Sequence, residues 1–196
     1  MSYRISAAIR TAAIIFFGVA VLSSVPPMAE EKPAKKGPAD LFAATYINTQ
    51  NVGGSSASFI QVDEYSTDAE AKALAQTLQE KGQMEVFNAI AKLKKGFVRI
   101  GGSMGYPIAV ARTRPTETGR TVFLVSSRPF QGLSMMDGTK ASEYPFSLVI
   151  LTLGKDNKGE GQIIGSAQIA ISKEGTLDIK SLGTQPLRLL DVREQK

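Results

Sequence analysis

Two stretches of this chain are apolar on both sides of an extended backbone. In Arg120–Ser127, Val122 and Leu124 alternate with Phe123 and Val125. In Phe146–Leu153, Phe146, Leu148 and Ile150 alternate with Val149, Leu151 and Leu153. Side chains of a strand point alternately to opposite faces, so a run without polar alternation must be covered on both. Thr176–Leu182 behaves differently, with Leu177 and Ile179 set against Asp178 and Lys180. The first two runs are therefore expected at the centre of the fold, with one face filling a β core and the other lying beneath helices.

The cover is legible between the second and third strand candidates. Thr67-Asp68-Ala69-Glu70 has the form of a capping box, in which a Thr hydroxyl and a Glu carboxylate three residues on satisfy free helical amides. Ala71, Leu74, Ala75 and Leu78 follow at helical spacing, and Gly82 is a stop signal. A second apolar stripe, Met84, Val86, Phe87, Ile90, Ala91 and Leu93, ends at Gly96. These patterns predict a helical hairpin, with helices near 67–81 and 84–94.

The remaining short apolar runs sit between Gly, Pro and Asn clusters, the pattern of an antiparallel β protein. They are Leu41–Asn48, Ser56–Tyr65, Phe97–Ile100, Ile108–Thr113, Gln162–Ile171, paired in a hairpin with Thr176–Leu182, and Leu187–Val192. The expected fold is α+β: an antiparallel β-barrel or curved sandwich of about eight or nine strands with the helical hairpin inserted, forming a single domain over residues 39–196. No internal repeat is visible. At 43% apolar and 21% charged residues the composition is that of a globular protein.

Ahead of this domain the chain has the three-part pattern of a secretory signal, expected to cover Met1–Ala29. Arg4 and Arg10 open it. Ala12–Leu22 is an uncharged, mostly apolar run, and Ser23-Ser24-Val25-Pro26-Pro27-Met28-Ala29 follows. Cleavage is expected after Ala29 or near Ser23 and Ser24. The competing reading is an uncleaved anchor from Ala12 through Val25. Residues 30–38, with Pro33, Gly37 and Pro38 and no large apolar side chain, read as a flexible linker.

The chain has no His, no Cys and no Trp. Ser-His-Asp and Cys-His catalysis, thiolate zinc sites, His-ligated haem and disulfide frameworks are thereby excluded. The net charge of +5 is spread along the chain. Lys32, Lys35 and Lys36, and then Lys92, Lys94 and Lys95, form two small clusters that read as solvated surface. Neither is the dense basic stripe that nucleic acid requires.

The candidate sites are few. Gly101-Gly102-Ser103-Met104-Gly105 is glycine-rich, but a phosphate cradle must open a helix, and here Pro107 and a strand follow. It reads as a strand connection needing positive φ angles. Gly154–Gly161 resembles a calcium loop in composition, not in ligand spacing, and reads as a hairpin tip. Asp137 and Glu143 lie in a long segment, Phe130–Glu143, and are the carboxylates a hydrolase would use; Met135 and Met136 in the same segment read as core. Arg99, Arg112, Arg120 and Arg128 fall in or beside central strands and read as ion-pair partners and strand ends facing water. Ser126 and Ser127 have no activating base nearby. No catalytic, metal or cofactor residue is assigned, and the ligand-binding residues are left open.

Several runs taken in order carry a family resemblance. They are Tyr65-Ser66-Thr67-Asp68-Ala69-Glu70, Gly105-Tyr106, Ser127-Arg128-Pro129, Tyr144-Pro145-Phe146-Ser147, Gly159-Glu160-Gly161 and Gln185-Pro186-Leu187-Arg188-Leu189. Together they resemble an uncharacterised family of predicted secreted bacterial proteins, over about Ile60–Val192, with Tyr65 standing where those relatives tend to carry Trp. The resemblance implies a bacterial source and a periplasmic or extracellular location, and no activity. The functional expectation is an exported non-enzymatic binding or interaction module, its partner an envelope protein or a small molecule and not nucleic acid. Membrane contact is expected only through an uncleaved N-terminal segment. The alternatives are a carboxylate-dependent hydrolase and a structural envelope protein.

Overall fold

The computed structural model describes residues 37–48, 54–128, 130, 144–171, 177–181 and 187–195, all within the unit Lys36–Lys196. The expected signal segment and nearly all of the linker lie outside the described residues. The strands are β1 (Asp40–Asn48), β2 (Gly54–Val62), β3 (Gly96–Ile100), β4 (Tyr106–Ile108), β5 (Val110–Thr116), β6 (Gly119–Ser126), β7 (Phe146–Gly154), β8 (Lys158–Ile171), β9 (Leu177–Ser181) and β10 (Leu187–Gln195). Two helices, α1 (Asp68–Lys81) and α2 (Gln83–Ile90), stand between β2 and β3.

All strand pairings are antiparallel, in the order β4-β3-β2-β1-β10-β8-β7-β6-β5, with β9 pairing β8 beside this path. The two ends of that order, β4 and β5, are consecutive in the chain and separated only by Ala109. Tyr106–Ile108 pairs with β3, then the chain changes partner and Val110–Thr116 pairs with β6. Ala109 donates its amide to Val125 at 2.8 Å, while Ile108 accepts from the Lys95 amide at 2.7 Å. One stave thus serves both edges of the sheet. The nine strands of the path make eight staves of a nearly closed barrel, which removes most of the exposed edge an open sheet would carry.

Both expectations for the central strands hold. Val122 and Leu124 of β6 and Val149, Leu151 and Leu153 of β7 lie in the barrel core with Phe42, Ile60, Val98, Leu189 and Val192. Phe146 and Leu148 lie in a second cluster with Val86 and Ile90 of α2, and Ile150 and Val125 pack against it. The helices cover the outer face of β5 to β8. A bulge in β8, where the register with β7 shifts between Phe146 and Leu148, sets Ile164 and Ala167 together in this outer cluster. Ser147, fully buried, donates to the Gly165 carbonyl at 2.7 Å and accepts the Phe130 amide at 3.1 Å. Phe130 is thereby seated in the barrel core against Tyr106, with ring centroids 4.7 Å apart.

Several boundaries differ from the sequence reading, each for a local reason. β2 ends at Val62 and not Tyr65, because the Lys95 carbonyl takes the amides of Asp63 and Glu64. α1 begins as expected, with both hydrogen bonds of the capping box present. α2 stops at Ile90, after which Leu93 bonds back to the Ile90 carbonyl in a turn. β8 starts four residues earlier than expected, because left-handed Asn157 (φ 58°) makes the β7–β8 turn short. The expected strand from Ile108 to Thr113 is two strands, broken where the barrel closes.

Gly96 combines a close backbone approach with a positive φ, at 151°, the position of a Cβ being only 2.0 Å from the Gln61 carbonyl oxygen. Gly96→Ala is expected to destabilise the fold by roughly 3 kcal/mol, read as a lower urea midpoint at unchanged slope. Leu148→Ala and Leu151→Ala, on opposite faces of β7, are each expected to cost ~2–5 kcal/mol by the same measurement. A near-neutral Leu148→Ala would remove the case for a second buried face.

Candidate functional site

Among the described residues, charged and polar side chains gather in three places. The first is one end of the barrel, where β1 and β6 begin and β10 ends. Arg120 donates through Nη1 to Asp40 and through Nη2 to Glu194, each at 2.9 Å. Its guanidinium lies 5.7 Å from the centre of the Phe42 ring. Tyr65, just beyond β2, donates its hydroxyl to the same Asp40 oxygen that Arg120 holds. Burial, then the hydrogen bond to Asp40, pushes the Tyr65 phenol well above its ordinary range. For Arg120, burial opposes the charge most, and the bond to Asp40 together with the charges of Asp40, Tyr65 and Glu194 more than offsets it. The Arg120 Nε is buried without a hydrogen-bond partner. Three strands are locked together by one guanidinium, whose planar fork serves two carboxylates at once, and Tyr65 joins them through Asp40. The expected ion-pair role of Arg120 is therefore observed, and the cluster ties strands together instead of presenting free groups.

The second gathering lies at the start of α1. Lys95 was expected on a solvated face; it is 7% exposed and ion-paired to Glu64 and Glu70. Its sequence neighbours Lys92 and Lys94 are exposed, as expected. Backbone position is the reason: Lys95 bonds to β4 through its amide and to the β2 exit through its carbonyl, which brings its side chain to Glu64 and Glu70. The Lys95 ammonium is pushed up, chiefly by the hydrogen bond to Glu64. Arg112 holds Asp68 at 2.6 Å and the Ser66 carbonyl at 2.7 Å. Arg112 is thus an ion-pair partner too. Arg99 instead lies over the Phe97 ring at 5.8 Å. Arg128 is exposed, and its amide donates to the Ser126 hydroxyl at 3.1 Å.

The third is a cleft of about 330 Å³ on the outer wall of β7, β8 and β10. Its lining is Ile150, Thr152, Glu160, Gly161, Gln162 and Arg188. The register sets Ile150 beside Gln162, Thr152 beside Glu160 and Gln162 beside Arg188. Arg188 pairs with Glu160 at 3.1 Å, both side chains more than half exposed. Gly161 faces the other way, into the core, where a Cβ would lie 2.7 Å from Leu151 Cδ2. The cleft offers a cation, a carboxylate, an amide and a hydroxyl around one aliphatic side chain. Its volume is at the small end of ligand pockets.

The other sequence candidates resolve as follows. The 101–105 loop joins β3 to β4 with Gly101 and Gly105 at φ 56° and 96°, the positive angles expected of it. Residues 155–157 form the β7–β8 tip, with Lys155 and Asp156 exposed. Met135, Met136, Asp137 and Glu143 lie outside the described residues, as do Lys32, Lys35 and Lys36. Of the cleft, Glu160, Gly161 and Arg188 fall in runs that carry the family resemblance, while Thr152 and Gln162 were not singled out. Their only sequence signal is a polar residue on an otherwise apolar strand.

No family model matches the chain, and no curated protein or solved structure matches it. No helix among the described residues is long and apolar enough to cross a membrane.

Arg120→Ala is expected to destabilise the protein by on the order of 3 kcal/mol in urea unfolding, because Asp40 is left largely covered with the Tyr65 hydroxyl but no cation. Arg120→Lys is expected to recover only part of that loss, since an ammonium lacks the fork. The raised Tyr65 value also fixes a sign. Protonated Tyr65 is favoured in the folded state, so its contribution is complete below the ordinary tyrosine value of about 10 and is lost as pH rises above it. Alkaline titration by ultraviolet absorbance is expected to show a late tyrosine step that Tyr65→Phe removes.

Proposed function

We propose that this protein is an exported, non-enzymatic binding module that takes its ligand on the outer wall of the barrel, in the β7–β8–β10 cleft. The observation that carries the reading is the division of side chains between the two sides of that wall. Inward, Val149, Leu151, Leu153, Ile163 and Leu189 join Phe42 and Phe130 in a filled core. Small barrels either enclose a ligand or are filled by side chains, and the second arrangement moves recognition to the exterior. Outward, Arg188, Gln162, Thr152 and Glu160 converge on one cleft. The exposed Arg188–Glu160 pair contributes little to stability, so a ligand exchanges for it at small cost. The ligand class that fits is small and polar, with at least one anionic group for Arg188: a free acid or the terminus of an envelope peptide. Export rests on the Met1–Ala29 pattern, and kinship with secreted bacterial proteins on the runs given above.

The test is a thermal-shift screen of the mature chain with organic acids, amino acids, short peptides and acidic sugars. A ligand at a hundredfold excess over its Kd adds about 2.7 kcal/mol, which moves the melting temperature by several degrees. The shift is expected to disappear in Arg188→Ala and to weaken in Gln162→Ala. A shift that survives Arg188→Ala places recognition elsewhere, and no shift across the screen favours the structural envelope role.

A further inference from the structure

The helical hairpin is fastened unevenly. α2 buries Val86 and Ile90 and sets Phe87 against Phe146 with centroids 6.3 Å apart. Its first residue, Gln83, accepts the amide of Ile169 in β8 at 3.0 Å. α1 is nearly twice as long, yet none of its residues is buried. Leu74 and Leu78 only partly cover the outer cluster that holds Ile164, Ile169 and Ile179. The remaining ties of α1 lie at its first turn, where Asp68 is held by Arg112 and Glu70 by Lys95. Glu64 shares Lys95 from outside the helix, and Lys72 faces Asp68 from the next turn.

The opposite end of α1 is a single residue. Gly82 is the C-cap of α1 and the N-cap of α2, with φ at 83°. A Cβ built there would meet nothing within 4 Å. Glycine is the residue that adopts this angle freely, and open space around it lets the angle change. We propose that α1 is a strap, hinged at Gly82 and latched at its first turn by Arg112 and Lys95. It opens from β8 as one cooperative unit while α2 and the barrel stay folded. Opening exposes the aliphatic outer wall of β8 near Ile164 and Ile169.

The physical case is a difference in the kind of hold. Elements fastened by buried apolar surface open only with the rest of the core, whereas those fastened by a few polar contacts open locally. A released helix of this length is marginal in water, so it frays once the latch is lost. This inference does not depend on the cleft or its ligand.

Native-state hydrogen exchange on the full chain at neutral pH tests it. In the wild type, amides of α1 are expected to exchange ahead of those in α2 and β7. In the double variant Asp68→Asn, Glu70→Gln, exchange in α1 is expected to accelerate about tenfold, with β6, β7 and α2 unchanged. Equal acceleration across α1 and the strands, or no acceleration in α1, overturns the strap. The wild type in high salt provides a second reading that needs no variant. Salt screens the exposed Asp68–Arg112 pair more than the covered Lys95. Faster exchange confined to α1 supports the latch, and identical profiles at low and high salt argue against it.

Discussion

The rest of the structure depends on β7 being buried on both faces. Leu151 and its alternates face the barrel axis, and Leu148 and its alternates face the helices. Such a strand is stable in water only if the sheet curls on one side of it and a second layer lies on the other. The β8 bulge and the hydroxyl of Ser147 adjust backbone and side chains to that requirement. Ser147 sits in the same strand, and its hydroxyl meets its polar needs within the fold, satisfying the Gly165 carbonyl and the Phe130 amide.

Closure imposes a second condition, that one stave serve two partners. The change of partner at Ala109 places the Ile108 carbonyl where the Lys95 amide meets it, and the Lys95 carbonyl where it ends β2. The same residue then sends its ammonium to Glu64 and Glu70, at the mouth of α1. Barrel closure and helix attachment are thus joined through a single residue. At the other polar cluster Arg120 joins the start of β1 to the end of β10 in a comparable way.

What the sequence discloses follows the range of the interaction. The two-faced strands, the capping box and the positive-φ glycines were legible because each is set within a few residues. The end of β2 and the break in the Ile108–Thr113 strand were not, because a carbonyl or amide from elsewhere in the chain sets them. Lys95 was misplaced for the same reason: its partners Glu64 and Glu70 stand well upstream, and nothing adjacent distinguishes it from Lys92 or Lys94. The cleft was half legible. Glu160 and Arg188 lay in runs already singled out, but only the pairing of β8 with β10 makes them neighbours. Arg120 was read as an ion-pair residue without its partners, which come from the two ends of the domain.

The pairing of β1 with β10 has a consequence for assembly. The first strand of the domain waits for the last before one of its edges is satisfied, and Arg120 waits for both Asp40 and Glu194. Contacts between distant parts of a chain form late and slowly. A ribosome-bound polypeptide of this kind therefore remains loose until nearly all of the domain has emerged, so its barrel closes in one late step and not strand by strand.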